Sequence, residues 1–146
     1  MQNRLNAGIM GRGVARHARR SNPRQEYRLK QRERIEASPL MAKKFPGLKS
    51  LKVTLEYYDA SGTTRQGAMK CTLKVEHAWS VLWFACPAVD CLGGDFDLSE
   101  ALAHAVAGRR TVATGELQCQ GARKRGDRER VLCQTLLRYK LNLSYD

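Results

Sequence analysis

The sequence predicts an α+β domain, in which an antiparallel β-sheet of about five strands packs with one helix and carries a zinc-ribbon-like four-cysteine site. Three observations lead to this prediction. After residue 50, apolar and polar residues alternate in several segments, which is typical of half-buried strands. One segment, 97–108, has instead the three- and four-residue spacing of an amphipathic helix. Four of the five cysteines fall on loops or hairpin arms that such a fold would bring together.

The charge distribution separates a basic N-terminal tail, residues 1–45, which we expect to be disordered apart from a possible helix, from a zinc-ribbon-like α+β domain formed by residues 46–146. The chain of 146 residues has a formal net charge of +12, and residues 1–49 hold 13 Lys/Arg against 3 Asp/Glu. Residues 1–21 have no apolar period, so we expect them to be disordered. A helix is possible over residues 23–37, because proline suits the first helical position.

This basic segment allows several interpretations. A polycation binds nucleic acid by releasing condensed counterions. It can also serve only as a solvated leader, or as a transit peptide, since residues 1–21 are rich in arginine and free of acids. The composition changes near Met41, so residues 1–40 can also be a gene-start artefact without function.

The first two strands are predicted on either side of a turn at residues 59–62. Strand one carries its apolar side chains at every second position, and these are Leu51, Val53, Leu55 and Tyr57. The return strand, residues 64–75, places Cys71 on its apolar face. We interpret Cys71 as a small buried thiol; the alternative is an additional or replacement metal ligand.

The remaining strands and the helix are predicted from shorter sequence patterns. Residues 78–85 are apolar on both faces, which predicts a central strand. Asp97 is the expected N-cap of the helix and Gly108 its C-cap. Residues 111–119 then return as a strand, and alternation over residues 131–145 predicts one long antiparallel strand.

The chemistry of the chain centres on Cys86, Cys91, Cys119 and Cys133. Thiolates bind zinc tetrahedrally at about 2.3 Å each, and a Cys-Pro loop and a hairpin can each supply two of them. An odd number of cysteines argues against a complete disulfide framework. The sequence therefore predicts a structural Zn²⁺ site at these four residues, the alternative being unliganded structural thiols. A shell closed by four thiolates has no position for an activated water, so we expect no enzymatic activity.

The pattern around these cysteines resembles that of small uncharacterised bacterial four-cysteine zinc-ribbon-like proteins. The resemblance covers about residues 45–146 and implies a metal site at the four cysteines that excludes Cys71, without implying an activity. The residues that carry it are Cys86, Pro87, Cys91, Gly93, Gly94, Phe96, Asp97, Leu98, Cys119, Gln120, Gly121, Cys133, Leu137, Arg138, Tyr139, Lys140 and Leu141.

A basic loop lies between the last two cysteines and suggests a partner. Its cations, Arg123, Lys124, Arg125, Arg128 and Arg130, outnumber its two acids. A metal that holds both ends of the loop would direct these cations toward phosphates at reduced entropic cost; the alternative is a solvated hairpin tip.

Together these features predict a small zinc-binding, non-catalytic module associated with nucleic acid, with RNA or a ribonucleoprotein favoured over DNA. The alternative is a protein–protein interaction or regulatory module that binds an acidic protein surface and in which zinc is purely structural. No apolar run reaches the ~18 residues that span a bilayer, so we expect a cytoplasmic protein without a membrane partner. No motif indicates a small-molecule substrate.

Overall fold

The computed structural model describes residues 23–125 and 129–146. Its helices are α1 (Pro23–Glu36), α2 (Met41–Lys44) and α3 (Ser99–Ala107). Its strands are β1 (Leu48–Tyr58), β2 (Arg65–Lys74), β3 (Trp83–Ala85), β4 (Cys91–Leu92), β5 (Asp95–Asp97), β6 (Val112–Gln118), β7 (Ala122–Arg125), β8 (Glu129–Leu132) and β9 (Leu136–Tyr145). None of the helices in these two ranges is long and apolar enough to cross a membrane.

The α+β class is confirmed, but one sheet of about five strands with one helix is wrong. The described residues form three antiparallel sheets, with the strand orders β2-β1-β9-β6, β3-β5 and β4-β7-β8. The large sheet contains the two longest pairings, β1 with β2 and β1 with β9. Strands of the two small sheets border Cys86, Cys91 and Cys133, whereas Cys119 follows β6 of the large sheet, so the site draws on all three sheets.

The apolar run 78–85 does not form a central strand. The amide of Met41 donates to the carbonyl of Ala78 at 2.7 Å, and the amide of Ser80 donates to the carbonyl of Pro39 at 2.9 Å. The first half of the run is therefore bonded to the segment that precedes β1, and it does not pair with a strand of the large sheet. Only Trp83–Ala85 remains as a strand, and it pairs with β5.

The predicted last strand is interrupted in the middle. Residues 129–132 belong to β8 and residues 136–145 to β9, and between them Gln134 has a left-handed backbone with φ 54°. At this turn the amide of Cys119 donates a hydrogen bond to the carbonyl of Thr135 at 2.9 Å. The alternation of apolar residues continues through this turn, which is why the sequence pattern did not reveal it.

The core lies on one face of the large sheet. Leu51, Val53 and Leu55 on β1 are completely buried, as the alternation predicts, and so are Leu137 and Leu141 on β9. Helix α3, with β5 before it, covers this face. The opposite face of the sheet is left to solvent.

The folded unit begins earlier than residue 46. Met41 is completely buried and Phe45 is 8% exposed, and both belong to the core. The composition change near residue 40 therefore precedes these two core side chains, which lie within the segment that we predicted as the N-terminal tail. Of the tail 1–45, for which we expected disorder, residues 1–22 lie outside the described residues, whereas Met41–Lys44 form α2.

Helix α1 occupies almost all of the predicted 23–37 range and contacts the domain. Tyr27 donates a hydrogen bond to Asp95, and Arg34 forms an ion pair of 2.6 Å with Asp97. Tyr27 and Arg34 are two turns apart on one side of α1. Asp95 and Asp97 lie on one side of β5. Trp83 Nε1 also donates to Asp95 at 2.7 Å. Because these contacts are largely polar, the sequence of α1 has no apolar stripe from which its contact with the domain could be predicted.

Helix α3 begins two residues after its predicted N-cap. Asp97 Oδ1 accepts the amide hydrogen of Ser99 at 2.9 Å, so its carboxylate does bond to the first turn. The backbone N-cap is Leu98. Gly108 is the C-cap, as predicted, but its φ is −89° and the left-handed residue is Arg109, with φ 47°.

Candidate metal centre

The four cysteines of the predicted site lie together inside the protein. Their Sγ atoms are all within 4.8 Å of one another. The sulfurs of Cys86 and Cys133 are 3.7 Å apart, and those of Cys91 and Cys119 are 3.5 Å apart. In a regular tetrahedron with metal–sulfur bonds of about 2.3 Å, the sulfurs are about 3.8 Å apart. The cluster thus has the size and number of donors for one metal ion.

Two chain segments supply two sulfurs each. Cys86 follows β3 and Cys91 opens β4, and the amide of Cys86 donates to the carbonyl of Gly94 at 3.1 Å. On the second segment, Cys119 follows β6 and Cys133 follows β8. The pairing of β4 with β7, in which Cys91 lies opposite Arg123, joins the two segments.

Two glycines allow the backbone to approach the sulfurs. A Cβ atom at Gly94 would lie far inside van der Waals contact with the Sγ atoms of Cys119 and Cys91. A Cβ atom at Gly121 would be 2.6 Å from Cys91 Sγ and from the Cα atom of Gly94. The Gly121 amide also donates to Cys119 Sγ at 3.3 Å. Both glycines belong to the sequence pattern of the site, but the pattern alone did not assign them this packing role.

The buried position of the sulfurs disfavours several thiolates unless a cation balances their negative charge. Cys86, Cys91 and Cys119 are each 1% exposed, and Cys133 is 6% exposed. Burial raises the pKa of Cys91 to about 11 and also raises that of Cys119. Without a cation these two thiols keep their protons at neutral pH. A bound divalent cation supplies the charge that lets them ionise, so metal binding here releases protons.

Cys133 differs because polar groups surround its sulfur. Burial raises its pKa, but hydrogen bonds from the Thr135 hydroxyl and the Arg123 guanidinium outweigh burial and lower it to about 6. Thr135 Oγ1 lies 3.2 Å from the sulfur, and Arg123 Nε donates to it at 3.3 Å. Arg123 Nη2 also donates to Thr135 Oγ1 at 3.0 Å, and Asp90 lies 3.6 Å from Nε.

The structure gives Arg123 a position that the loop prediction did not include. Its side chain lies beside a sulfur, because the Cys133 sulfur and the Thr135 hydroxyl offer it buried acceptors. Its contact with phosphates stays a prediction. Of the other loop cations, Arg130 on β8 is exposed. Arg128 and the side chains of Lys124 and Arg125 lie outside what the structure describes.

Replacing Arg123 by alanine should weaken metal binding by about 10- to 100-fold, the usual effect of losing a hydrogen bond to a metal ligand. The reason is that the Cys133 sulfur loses a cationic donor while remaining buried. Affinity can be measured by competition with a chromophoric chelator. Arg130→Ala is the control, since it removes an exposed cation from the same hairpin. Equal affinities for the two variants would contradict a role of Arg123 at the site.

Cys71 lies outside the cluster. It is half-buried on β2, packs against the core, and has its pKa raised by burial. This position agrees with a packing thiol and places it apart from the four sulfurs described above.

No protein-family model, curated protein or solved structure matches this chain. The resemblance to zinc-ribbon-like proteins thus stays a prediction, and the site rests on its own geometry.

Proposed function

We propose that this protein is a small, non-catalytic zinc-binding module that associates with nucleic acid, RNA or a ribonucleoprotein being the first partner to test. The observation that carries the proposal is the group of four buried thiols with Sγ atoms within 4.8 Å of one another. Four thiolates in a tetrahedron are the donor set of structural zinc sites. Zn²⁺ has no geometric preference from its d-electrons, so it can adopt the tetrahedral arrangement that four sulfurs at this spacing offer.

The number of donors supports a structural role for the ion. A catalytic zinc keeps one coordination position for water or substrate. Here Cys86, Cys91, Cys119 and Cys133 supply all four positions of the tetrahedron. The ion would then join the two chain segments and hold the small sheets to each other.

The charge of the chain supports nucleic acid as the partner. A formal net charge of +12 on 146 residues attracts polyanions over a long range. Affinity gained by counterion release requires neither a pocket nor a specific sequence in the nucleic acid. It therefore suits a protein whose exposed surface is rich in lysine and arginine.

The full-length protein purified without chelators should contain one zinc ion per chain, because the four sulfurs form one tetrahedral site. Native mass spectrometry combined with elemental analysis measures both the stoichiometry and the metal. Protein with all five thiols freely titratable and no metal would contradict the site. One iron ion per chain, which is visible from its colour, would keep the site and contradict zinc.

An apolar groove supports the alternative of a protein-interaction module. It has a volume of about 270 Å³ and is lined by Ile35, Cys71, Leu73, Ala78, Trp79, Val81, Leu82, Trp83 and Phe84. Trp79 is 40% exposed there, which is unusual for so large an apolar side chain. Salt dependence distinguishes the two proposals, since phosphate binding weakens steeply as salt rises and apolar contact does not.

A further inference from the structure

The solvent-facing side of the large sheet carries a cluster of lysines. Alternation along the strands places the apolar side chains of β1 and β9 in the core and Lys52, Lys70, Lys74 and Lys140 on the opposite face. All four lysines are exposed. We call this surface the lysine face. The sequence did not single it out, because its residues are distributed over three strands.

The strand register brings these lysines close together. Thr54 in β1 pairs with Lys70 in β2 and with Lys140 in β9, so the two lysines flank it in one row. Two antiparallel pairings separate their Cα atoms by about 10 Å. Lys52 is two residues from Thr54 on the same face, about 7 Å along the strand. Lys74 continues the cluster along β2.

The positive charge of the lysine face is not compensated locally. The two glutamates on this side of the sheet are already paired: Glu56 lies 3.7 Å from Arg65, and Glu116 lies 2.6 Å from Arg138. None of the four lysines forms a salt bridge within residues 23–125 and 129–146. Four ammonium groups therefore share one exposed surface whose two carboxylates, Glu56 and Glu116, are each paired with an arginine.

The other side chains of the lysine face offer hydrogen-bonding groups but few aromatic rings on which nucleic-acid bases could stack. Thr54 and Thr114, with Lys140, line a shallow groove of about 390 Å³. The aromatic ring on this side, Tyr58, is covered by the Arg138 guanidinium, whose carbon lies 4.5 Å from the ring centre. Proteins that bind single strands through their bases use uncovered aromatic rings on a sheet. This surface suits phosphates better than bases.

We propose that the lysine face binds the phosphodiester backbone of nucleic acid without reading its bases. This inference rests on the proposed association with nucleic acid and assigns it to the open sheet instead of the β7–β8 hairpin. Charge complementarity selects the occupant, because a cluster of four unpaired ammonium groups matches a polymer with a phosphate at every residue. Contacts to phosphate charge alone imply similar affinity for RNA and DNA duplexes of equal length, whereas contacts to ribose 2′-hydroxyls would favour RNA.

The test compares two variants of the full chain that lose the same charge. The first replaces Lys52, Lys70, Lys74 and Lys140 by glutamine. The control replaces four exposed cations of α1 and α2, namely Arg28, Lys30, Arg32 and Lys43, also by glutamine. Binding to a fluorescein-labelled 20-base-pair RNA duplex, and to the matching DNA duplex, is measured by anisotropy at several salt concentrations.

The lysine-face variant should lose roughly 100-fold or more in affinity at low salt, and its slope of log affinity against log salt should fall by about 3.6, since each duplex phosphate contact contributes about 0.9. The control should change much less. Both variants should keep the metal content and thermal transition of the parent protein, since only exposed side chains change. If the fourfold variant does not fold, Lys70→Gln with Lys140→Gln should still lower the slope by about 1.8.

Each other outcome has a distinct meaning. A parent protein that binds neither duplex overturns the association with nucleic acid itself. A parent that binds, with equal losses in both fourfold variants, shows that only net charge matters and overturns the lysine face as the site. A preference of more than tenfold for RNA over DNA shows contacts to the 2′-hydroxyls or to A-form geometry and overturns recognition of phosphate charge alone. Binding of an acidic protein with no binding of either duplex would favour the protein-interaction alternative.

Discussion

Gly94→Ala is expected to abolish stoichiometric metal binding. The added Cβ atom would overlap the sulfurs of Cys119 and Cys91. Both thiols are held by buried backbone, so they can move away only by breaking the tetrahedral arrangement. Elemental analysis of the purified variant should give well under one ion per chain. We also expect a large decrease in the melting temperature, because the energy of the metal bonds contributes to folding.

Gly93→Ala is the matched control. Gly93 has a left-handed backbone with φ 71°, and a Cβ atom there would meet nothing within 4 Å. Alanine at that position should cost about 1–2 kcal/mol of backbone strain while leaving the metal in place. A Gly94→Ala protein that binds metal as well as Gly93→Ala does would show that the close packing of Gly94 is not needed for the site.

Cys119→Ser is expected to lose the metal and to destabilise the whole domain. A hydroxyl is a poor ligand for zinc, so the bonds that join the two cysteine-bearing segments through the metal would be lost. Removal of a structural zinc costs several kcal/mol, since the free energy of binding is also free energy of folding. We expect the free energy of unfolding, measured in urea, to fall by at least ~3 kcal/mol.

Cys71→Ser separates this effect from the general cost of losing a thiol. Cys71 is half-buried and lies outside the four-sulfur cluster. The variant should keep its metal and lose at most about 1 kcal/mol, the usual effect of a change at a partly exposed position. Loss of the metal from Cys71→Ser, or its retention in Cys119→Ser, would mean that the ligand set is misassigned.

The parts of the fold that depend on alternation could be predicted from the sequence. Leu51, Val53 and Leu55 have the period of a half-buried strand, and the structure buries all three. The number of sheets could not be predicted, because it depends on hydrogen bonds between distant segments. The bond from Met41 to Ala78 is one of these, and it leaves no trace in local periodicity.

The grouping of the four cysteines was predictable, but their surroundings were not. Four cysteines on a Cys-Pro loop and a hairpin indicated a common site before the detailed fold was known. Arg123 looked like one of several loop cations, and only the pairing of β4 with β7 and the turn at Gln134 place it beside Cys133. The lysine face was equally hidden, since neighbours across a sheet are far apart in the chain.

The positions of the ligands along the chain also affect the unpaired edge of the large sheet. Cys91 and Cys119 are 28 residues apart, and the segment between them contains all of α3 and β6. Strand β6 is an outer strand, with one row of backbone groups open to pairing by a foreign chain. A metal ion would tie the end of β6 to the start of β4, so that this strand could not peel away without breaking a metal–sulfur bond. The ion would thereby keep β6 paired with β9, so that the backbone groups of β9 do not become a second open edge for intermolecular strand addition.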